Sequence, residues 1–309
     1  MSVTRAERRR GEEAEEGTSW LASTSSLSPA VGKTAEGEGF LADSLSASPS
    51  VRLSASSTDI LGVPIDAVDL ESTVAAVEHY IATGDRQYLA VCAVHSIMEA
   101  ADDPAFHDIL TRAALRVPDG MPLVWLSRRD GNRHVGRVRG ADLVDALCAR
   151  SAKTGHRHYF YGGGPGIAQE MAARLQQRHP GLQVAGTATP GQLAIGQEEA
   201  PDVIDGINHA QPDILWVGLG CPKQEWWTHL HRPLLNVPVV IPVGAAFDFH
   251  SGAVAQAPTW MQSNGLEWAV RLARDPVRLW PRYLVSGPHF FLRLFSQDSR
   301  TSLSRERSR

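Results

Sequence analysis

Two places in this chain have residue types and spacing suited to chemistry on a charged substrate. The first is Val217-Gly-Leu-Gly-Cys-Pro-Lys-Gln-Glu-Trp-Trp227. An apolar run, Asp213-Ile-Leu-Trp-Val217, leads into Gly-x-Gly-x-Pro and then into Lys223, Gln224 and Glu225, where a helix should begin. In an open α/β sheet ligands bind at the carboxyl ends of strands, and a helix start offers free N–H groups to anions. The stretch therefore suits a phosphorylated ligand, and it reads equally as an ordinary strand-to-helix turn with a solvated Lys-Gln-Glu. The second place is Asp119, locked between Pro118 and Gly120 ahead of the apolar start Met121 to Trp125. A carboxylate at a helix N-terminus stays ionised and is ready to accept a proton. Asp before a helix is also a common N-cap.

Other candidates are weaker. Gly162-Gly-Gly-Pro-Gly166 would let the backbone approach a diphosphate at Gly162 and Gly163, or serve as a tight strand-to-helix turn. It is no dinucleotide fingerprint, because Ile167 stands where the third glycine belongs. Asp248, in Gly244-Ala-Ala-Phe-Asp248, suits a sugar hydroxyl or a turn cap. No Asp-x-Asp occurs, His229-Leu-His231 is wrongly spaced for a metal pair on one helix face, and His250 has no obvious partner in the sequence. No metal and no cofactor are expected, so any phosphate would be met by organic cations, Arg foremost for its bidentate fork.

These residues need a scaffold. Gln87 to Cys92, Leu115 to Pro118, His158 to Tyr161, Leu182 to Gly186, Asp213 to Val217 and Pro238 to Val243 read as strands, and Ile60 to Asp66 as a short strand and turn. Leu70 to Ala82, Ala141 to Ala152, Pro201 to Ala210 and Glu225 to Leu230 read as helices, with one or two more over Ser96 to Ala114, broken near Pro104. Ile167, Met171 and Leu175 recur every four residues, marking a helix begun by Pro165. Alternation of this kind predicts an α/β fold, a mostly parallel sheet with helices on both faces in the Rossmann-like manner.

Composition sets the outer limits. The chain has 309 residues, 43% of them hydrophobic, and a net charge of −4 that gives no hint of nucleic-acid binding. Three scattered cysteines suit a reducing cytoplasm, and no apolar signal region follows the N-terminal arginines. Residues 1–57 hold thirteen serines and no sustained period, which predicts a disordered extension; residues 297–309 are expected to be a disordered tail. The folded core is expected over 58–255. Residues 256–296 carry five arginines, two acids and seven aromatic residues, a basic and aromatic helical appendage. Such a segment suits an anionic membrane surface, or a helix pair packed on the sheet.

Five motifs stand in order: Val117-Pro-Asp-Gly-Met-Pro-Leu-Val-Trp125, Arg137-Val-Arg-Gly-Ala-Asp-Leu143, the stretch at Val217, Val243-Gly-Ala-Ala-Phe-Asp-Phe-His-Ser-Gly252 and Ala257-Pro-Thr-Trp260. With them the chain resembles the bacterial WecG/TagA/CpsF family of glycosyltransferases (family 26), which build cell-envelope and exopolysaccharide chains on lipid carriers. The resemblance runs from about Ile60 to about Phe295. It implies an inverting, metal-independent transfer of a hexose or N-acetylmannosamine-type sugar from a UDP-sugar to a polyprenyl-diphosphate-linked saccharide, at the inner face of the cell membrane. It assigns Asp119 as the base, Arg137 to the site, and Gln224 to the donor with Lys223 beside it. Arg271, Arg278 and Arg282 would reach over the pocket as a membrane-docking appendage closes, and self-association of the core is open to such a protein. One departure concerns the donor: where the family often has Thr and Asn after the strand at Gln87, this chain has Val91 and Ala93, so His95 or Ser96 would substitute or the sugar would differ. Two rival readings are a nucleotide-dependent oxidoreductase, disfavoured by the failed fingerprint, and a non-catalytic nucleotide-sugar sensor or scaffold.

Overall fold

A computed structural model describes residues 56–191, 193–258, 260–261, 267–274, 276–280 and 287–296, and the structural statements below concern these. The expected extension over 1–57 lies outside them except for Ser56 and Ser57, and the tail over 297–309 lies outside them entirely. The chain opens with a hairpin, β1 (Ser57–Ile60) and β2 (Val63–Asp66). Leu61 and Gly62 both adopt positive φ, 52° and 90°, which is what a two-residue hairpin turn needs to match strand twist. Buried Arg116 pairs with Asp66 at 2.6 Å and donates to the Pro64 carbonyl at 2.7 Å, fastening this hairpin to the main sheet.

The main sheet has six parallel strands in the order β4-β3-β8-β7-β5-β6. They are β3 (Gln87–Cys92), β4 (Leu115–Pro118), β5 (Arg157–Gly162), β6 (Gln183–Ala188), β7 (Ile214–Gly218) and β8 (Val239–Pro242). After β4 the chain crosses to the far side, lays down β5 and β6, and then returns inward as β7 and β8. The carboxyl ends around this reversal form the place where open α/β sheets bind ligands.

Alternate strand residues feed two cores. Phe160, Ile214, Trp216 and Ile241 face one side, against α1 (Leu70–Thr83), α5 (Gly140–Thr154) and α6 (Ile167–Arg178). Tyr159, Tyr161, Leu215 and Val217 face the other, against α2 (Val94–Asp102), α3 (Pro104–Arg112), α7 (Pro201–Ala210) and α8 (Lys223–His231). Full burial of such side chains stabilises by about 1.5–3 kcal/mol each. The expected parallel sheet with helices on both faces is thus what the chain forms. The break at Pro104 is real, with Asp103 capping α3 through the N–H groups of Ala105 and Phe106. Pro165, however, does not open α6: the helix starts at Ile167, after Gly166 turns left-handed at φ 80°. Two further helices, α4 (Met121–Arg129) and the short α9 (Ala246–Ser251), stand beside the strand ends.

The C-terminal appendage is helical over Glu267–Arg274, Pro276–Trp280 and residues 287–296. Phe290 is fully buried in the second core, and Arg293 pairs with Asp102 at 2.6 Å, so this last helix is seated on the core.

Candidate active site

A cavity of about 1230 Å³ opens at the carboxyl ends of β3, β4, β5, β7 and β8. Asp119 enters it directly after β4, its N–H bonded to the Cys92 carbonyl at 2.8 Å. The N-cap of α4 is Gly120, which caps through no side chain, so the N-cap reading of Asp119 falls. Its carboxylate is 31% exposed and stands in the cavity instead.

Arg137 reaches the same place from the segment after α4. That segment is fixed by Arg128, which donates to the Val135 carbonyl, and by the Val138 N–H bonded to the Pro118 carbonyl at 2.8 Å. The Arg137 Nε then donates to the Asp119 carbonyl, and its Nη2 lies 3.7 Å from the Asp119 carboxylate. Two residues later Arg139 enters the cavity wall, paired with Asp142 at 3.0 Å. Glu267 of the appendage, 4% exposed, joins the two arginines: it lies 3.2 Å from Arg137 Nη2 and 3.2 Å from Arg139 Nε.

Opposite stands the Gly-x-Gly-x-Pro turn. Gln224 is buried in the first turn of α8 and lines the cavity, with its side chain engaged within the protein: Oε1 accepts from the Gly220 N–H at 3.1 Å and Nε2 donates to Glu225 Oε1 at 2.9 Å. Gly244 approaches it so closely that an added Cβ would lie 2.9 Å from Gln224 Oε1. Lys223 starts α8 without lining the cavity.

The remaining expected residues divide. Gly163, Asp248 on α9 and His95 on α2 line the cavity, as do Val91 and Ala93. Gly162 does not: at φ 140°, with a Cβ position 2.5 Å from the Gly218 carbonyl oxygen, it serves the close approach of β5 to β7. Ser96 turns inward and bonds the Ala93 N–H at 2.9 Å, holding the start of α2. Arg271 and Arg278 lie on appendage helices, but their side chains are outside the described residues, as is Arg282 altogether. Burial pushes the Cys92 thiol up, so the cysteine at the end of β3 is a neutral packing group.

Residues 58–304 match the model of the glycosyl transferase WecG/TagA/CpsF family. The chain belongs to this family. The transferase is 32% identical over 186 residues, 60% of its own length and 70% of the relative's, to a protein of Bacillus spizizenii. That relative is named N-acetylglucosaminyldiphosphoundecaprenol N-acetyl-beta-D-mannosaminyltransferase. Proteins of the same name from Bacillus subtilis (31% over 199 residues, 64% and 75% of the two chains) and Staphylococcus aureus strain MW2 (27% over 231 residues, 74% and 89%) are also similar to it.

Three contributors to the site were not singled out from the sequence. Arg139 sits inside a motif that drew attention to Arg137, and Glu267 and Trp268 come from the appendage, whose arginines and aromatics were weighed for a membrane. Glu267, Trp268 and Phe291 make the appendage one wall of the transferase's cavity. Five of its large apolar residues, Trp260, Val277, Trp280, Leu292 and Phe295, are each more than half exposed. Among the described residues no helix is long and apolar enough to cross a membrane.

Proposed function

We propose that this transferase moves an N-acetylhexosamine-type sugar, N-acetylmannosamine foremost, from a UDP donor to a polyprenyl-diphosphate-linked N-acetylglucosamine, with inversion and without a metal ion. The observation that carries the reading is the Asp119 carboxylate, not used for capping, facing the cavity beside Arg137 at the edge of the sheet. The names of the relatives, N-acetylmannosaminyltransferases acting on N-acetylglucosaminyldiphosphoundecaprenol, support this acceptor and this sugar.

In the transfer, Asp119 takes the proton of the acceptor hydroxyl while that oxygen bonds to the anomeric carbon. The bond from that carbon to the diphosphate oxygen breaks on the opposite face, and its electron pair leaves with UDP. Arg137 and Arg139 supply the positive charge that the departing diphosphate needs, in bidentate form. Gln224 holds the turn at Gly220 against the donor, and Asp248 and His95 offer polar contacts to the sugar. Trp268 and Phe291 close the cavity from the appendage and keep water from the donor. The exposed apolar residues of the appendage, with its arginines, dock on an anionic lipid surface, which brings the lipid-linked acceptor to the site. On this reading the transferase works peripherally at the inner face of the cell membrane.

The test is UDP release by the purified protein, screened over UDP-sugars with a lipid-diphosphate N-acetylglucosamine acceptor. Acceptor-dependent release, fastest with UDP-N-acetylmannosamine, is expected. UDP-sugar binding without turnover would favour the sensor reading, to which the apolar Val91 and Ala93 on the cavity wall lend themselves.

A further inference from the structure

The transfer step leaves Glu267 without a role, yet this residue holds the cations that the step needs. The Glu267 carboxylate is buried, 128 residues along the chain from Arg139, and meets that guanidinium through two nitrogens. Nε lies 3.2 Å from Oε2, and Nη2 donates to Oε1 at 3.3 Å. Arg137 Nη2 adds a third donor, 3.2 Å from Oε2. Two oxygens facing two parallel N–H groups is the fork geometry by which Arg also binds a phosphate. An anion of the protein's own thus occupies the cationic cradle of the cavity.

Both arginines have other anchors. Arg137 Nε is bonded to the Asp119 carbonyl, and Arg139 Nη1 to Asp142 at 3.0 Å. Neither anchor involves Glu267, so the guanidinium groups stay aimed into the cavity if the carboxylate leaves. The carboxylate itself begins the helix Glu267–Arg274, whose next residue, Trp268, is also a cavity wall.

We propose that Glu267 is an internal stand-in for the donor's diphosphate: it clasps Arg137 and Arg139 while the site holds no nucleotide, and the incoming diphosphate displaces it. This rests on the reading that the donor diphosphate docks on those two arginines. The N–H groups that face Glu267 cannot serve carboxylate and diphosphate at once, so binding is an exchange, and apparent affinity falls by the fraction of molecules in which the clasp is closed. The exchange moves the helix that bears Trp268, so donor binding and the position of the cavity wall are coupled. A carboxylate that merely braced the fold would produce neither effect.

Calorimetry on the full chain decides between them, with UDP and inorganic pyrophosphate as separate probes. Glu267→Gln keeps the shape and removes the charge, and it is expected to bind both probes about tenfold tighter than the parent protein, a change of ~1.4 kcal/mol. Glu267→Asp, which keeps the charge, should stay close to the parent. Equal or weaker binding by a Glu267→Gln protein with unchanged thermal unfolding would overturn the clasp. Should that variant not fold, amide hydrogen exchange of the parent decides: either probe should speed exchange in Glu267–Arg274, and unchanged or slower exchange would overturn the clasp. UDP binding that ignores Glu267 would leave the donor reading standing and remove the clasp. Tighter pyrophosphate binding in the variant, with UDP bound by neither protein, would keep the clasp and remove the nucleotide.

Discussion

The floor of the cavity and its outer wall are held in different ways. On the floor, three polar residues are tied to main chain: Asp119 by its N–H bonded to Cys92, Arg137 by a neighbouring strand end and the Asp119 carbonyl, Gln224 by the turn at Gly220. These contacts follow from a parallel sheet whose strands are buried on both faces. Among the described residues, the appendage meets the core through the side chains of Phe290 in the second core, Arg293 on Asp102, and Glu267 on two arginines. It also turns large apolar groups outward, Phe295 being 67% and Trp280 51% exposed. The difference separates two tasks. On the proposed function, the sheet edge keeps reacting groups fixed, while the wall is the part that moves and meets the lipid surface.

Removing the base should break the floor alone. Asp119→Asn is expected to lower acceptor-dependent transfer by about 10²–10⁴-fold, the usual worth of general base catalysis, with thermal unfolding unchanged. Retained activity in a folded variant would remove Asp119 from the role. The reverse cut is Phe290→Ala, which empties the seat of the appendage. Loss of a buried Phe costs about 3–5 kcal/mol, and limited proteolysis should show the last helix released while the sheet stays intact. Cooperative loss of the whole fold at one midpoint would instead make wall and floor one unit.

A smaller and pH-dependent effect belongs to the sheet beneath the floor, away from the cavity. His158, on β5, is buried with Trp216 Nε1 donating to its Nδ1 at 2.9 Å, and burial lowers its pKa to about 3. The folded state therefore refuses a proton that the unfolded chain accepts below the usual value of 6.5. Stability from this site is present above that value and declines as pH falls toward 3, by at most ~1.4 kcal/mol per pH unit. Urea unfolding between pH 7.5 and 5 should show this slope, and His158→Gln should flatten it. Least in size is the outward face: Trp280→Ser with Phe295→Ser should weaken binding to anionic vesicles by about tenfold while leaving UDP binding as it was.

How much of this was legible in the sequence follows the same division. Gln87–Cys92 and Leu115–Pro118 have in the structure the bounds their sequence suggests, because each is a mostly apolar run next to turn residues, with Arg116 the buried exception. That Asp119 and Gln224 line the cavity was legible because each directly follows such a strand or its turn. The start of α6 was misplaced because Gly166 adopts positive φ after Pro165, and α9 was missed because six residues after Gly244 and Ala245 look like a turn. Gly162 suits a phosphate or a tight turn in the sequence and serves strand packing in the structure, since all these uses require the same missing side chain. The pairing of Glu267 with Arg137 and Arg139 spans 130 and 128 residues, and no local pattern carries a contact of that range.

The division of labour is tested most directly by measuring transfer with two acceptors that differ only in their lipid. One is a short-chain, water-soluble prenyl-diphosphate N-acetylglucosamine; the other is its long-chain form in anionic vesicles. With the short acceptor, the variant carrying Trp280→Ser and Phe295→Ser should match the parent protein, and with vesicles it should fall behind, while Asp119→Asn should fail with both. Equal loss with both acceptors in the tail variant, or none with either, would contradict a floor that does chemistry beneath a wall that meets the membrane.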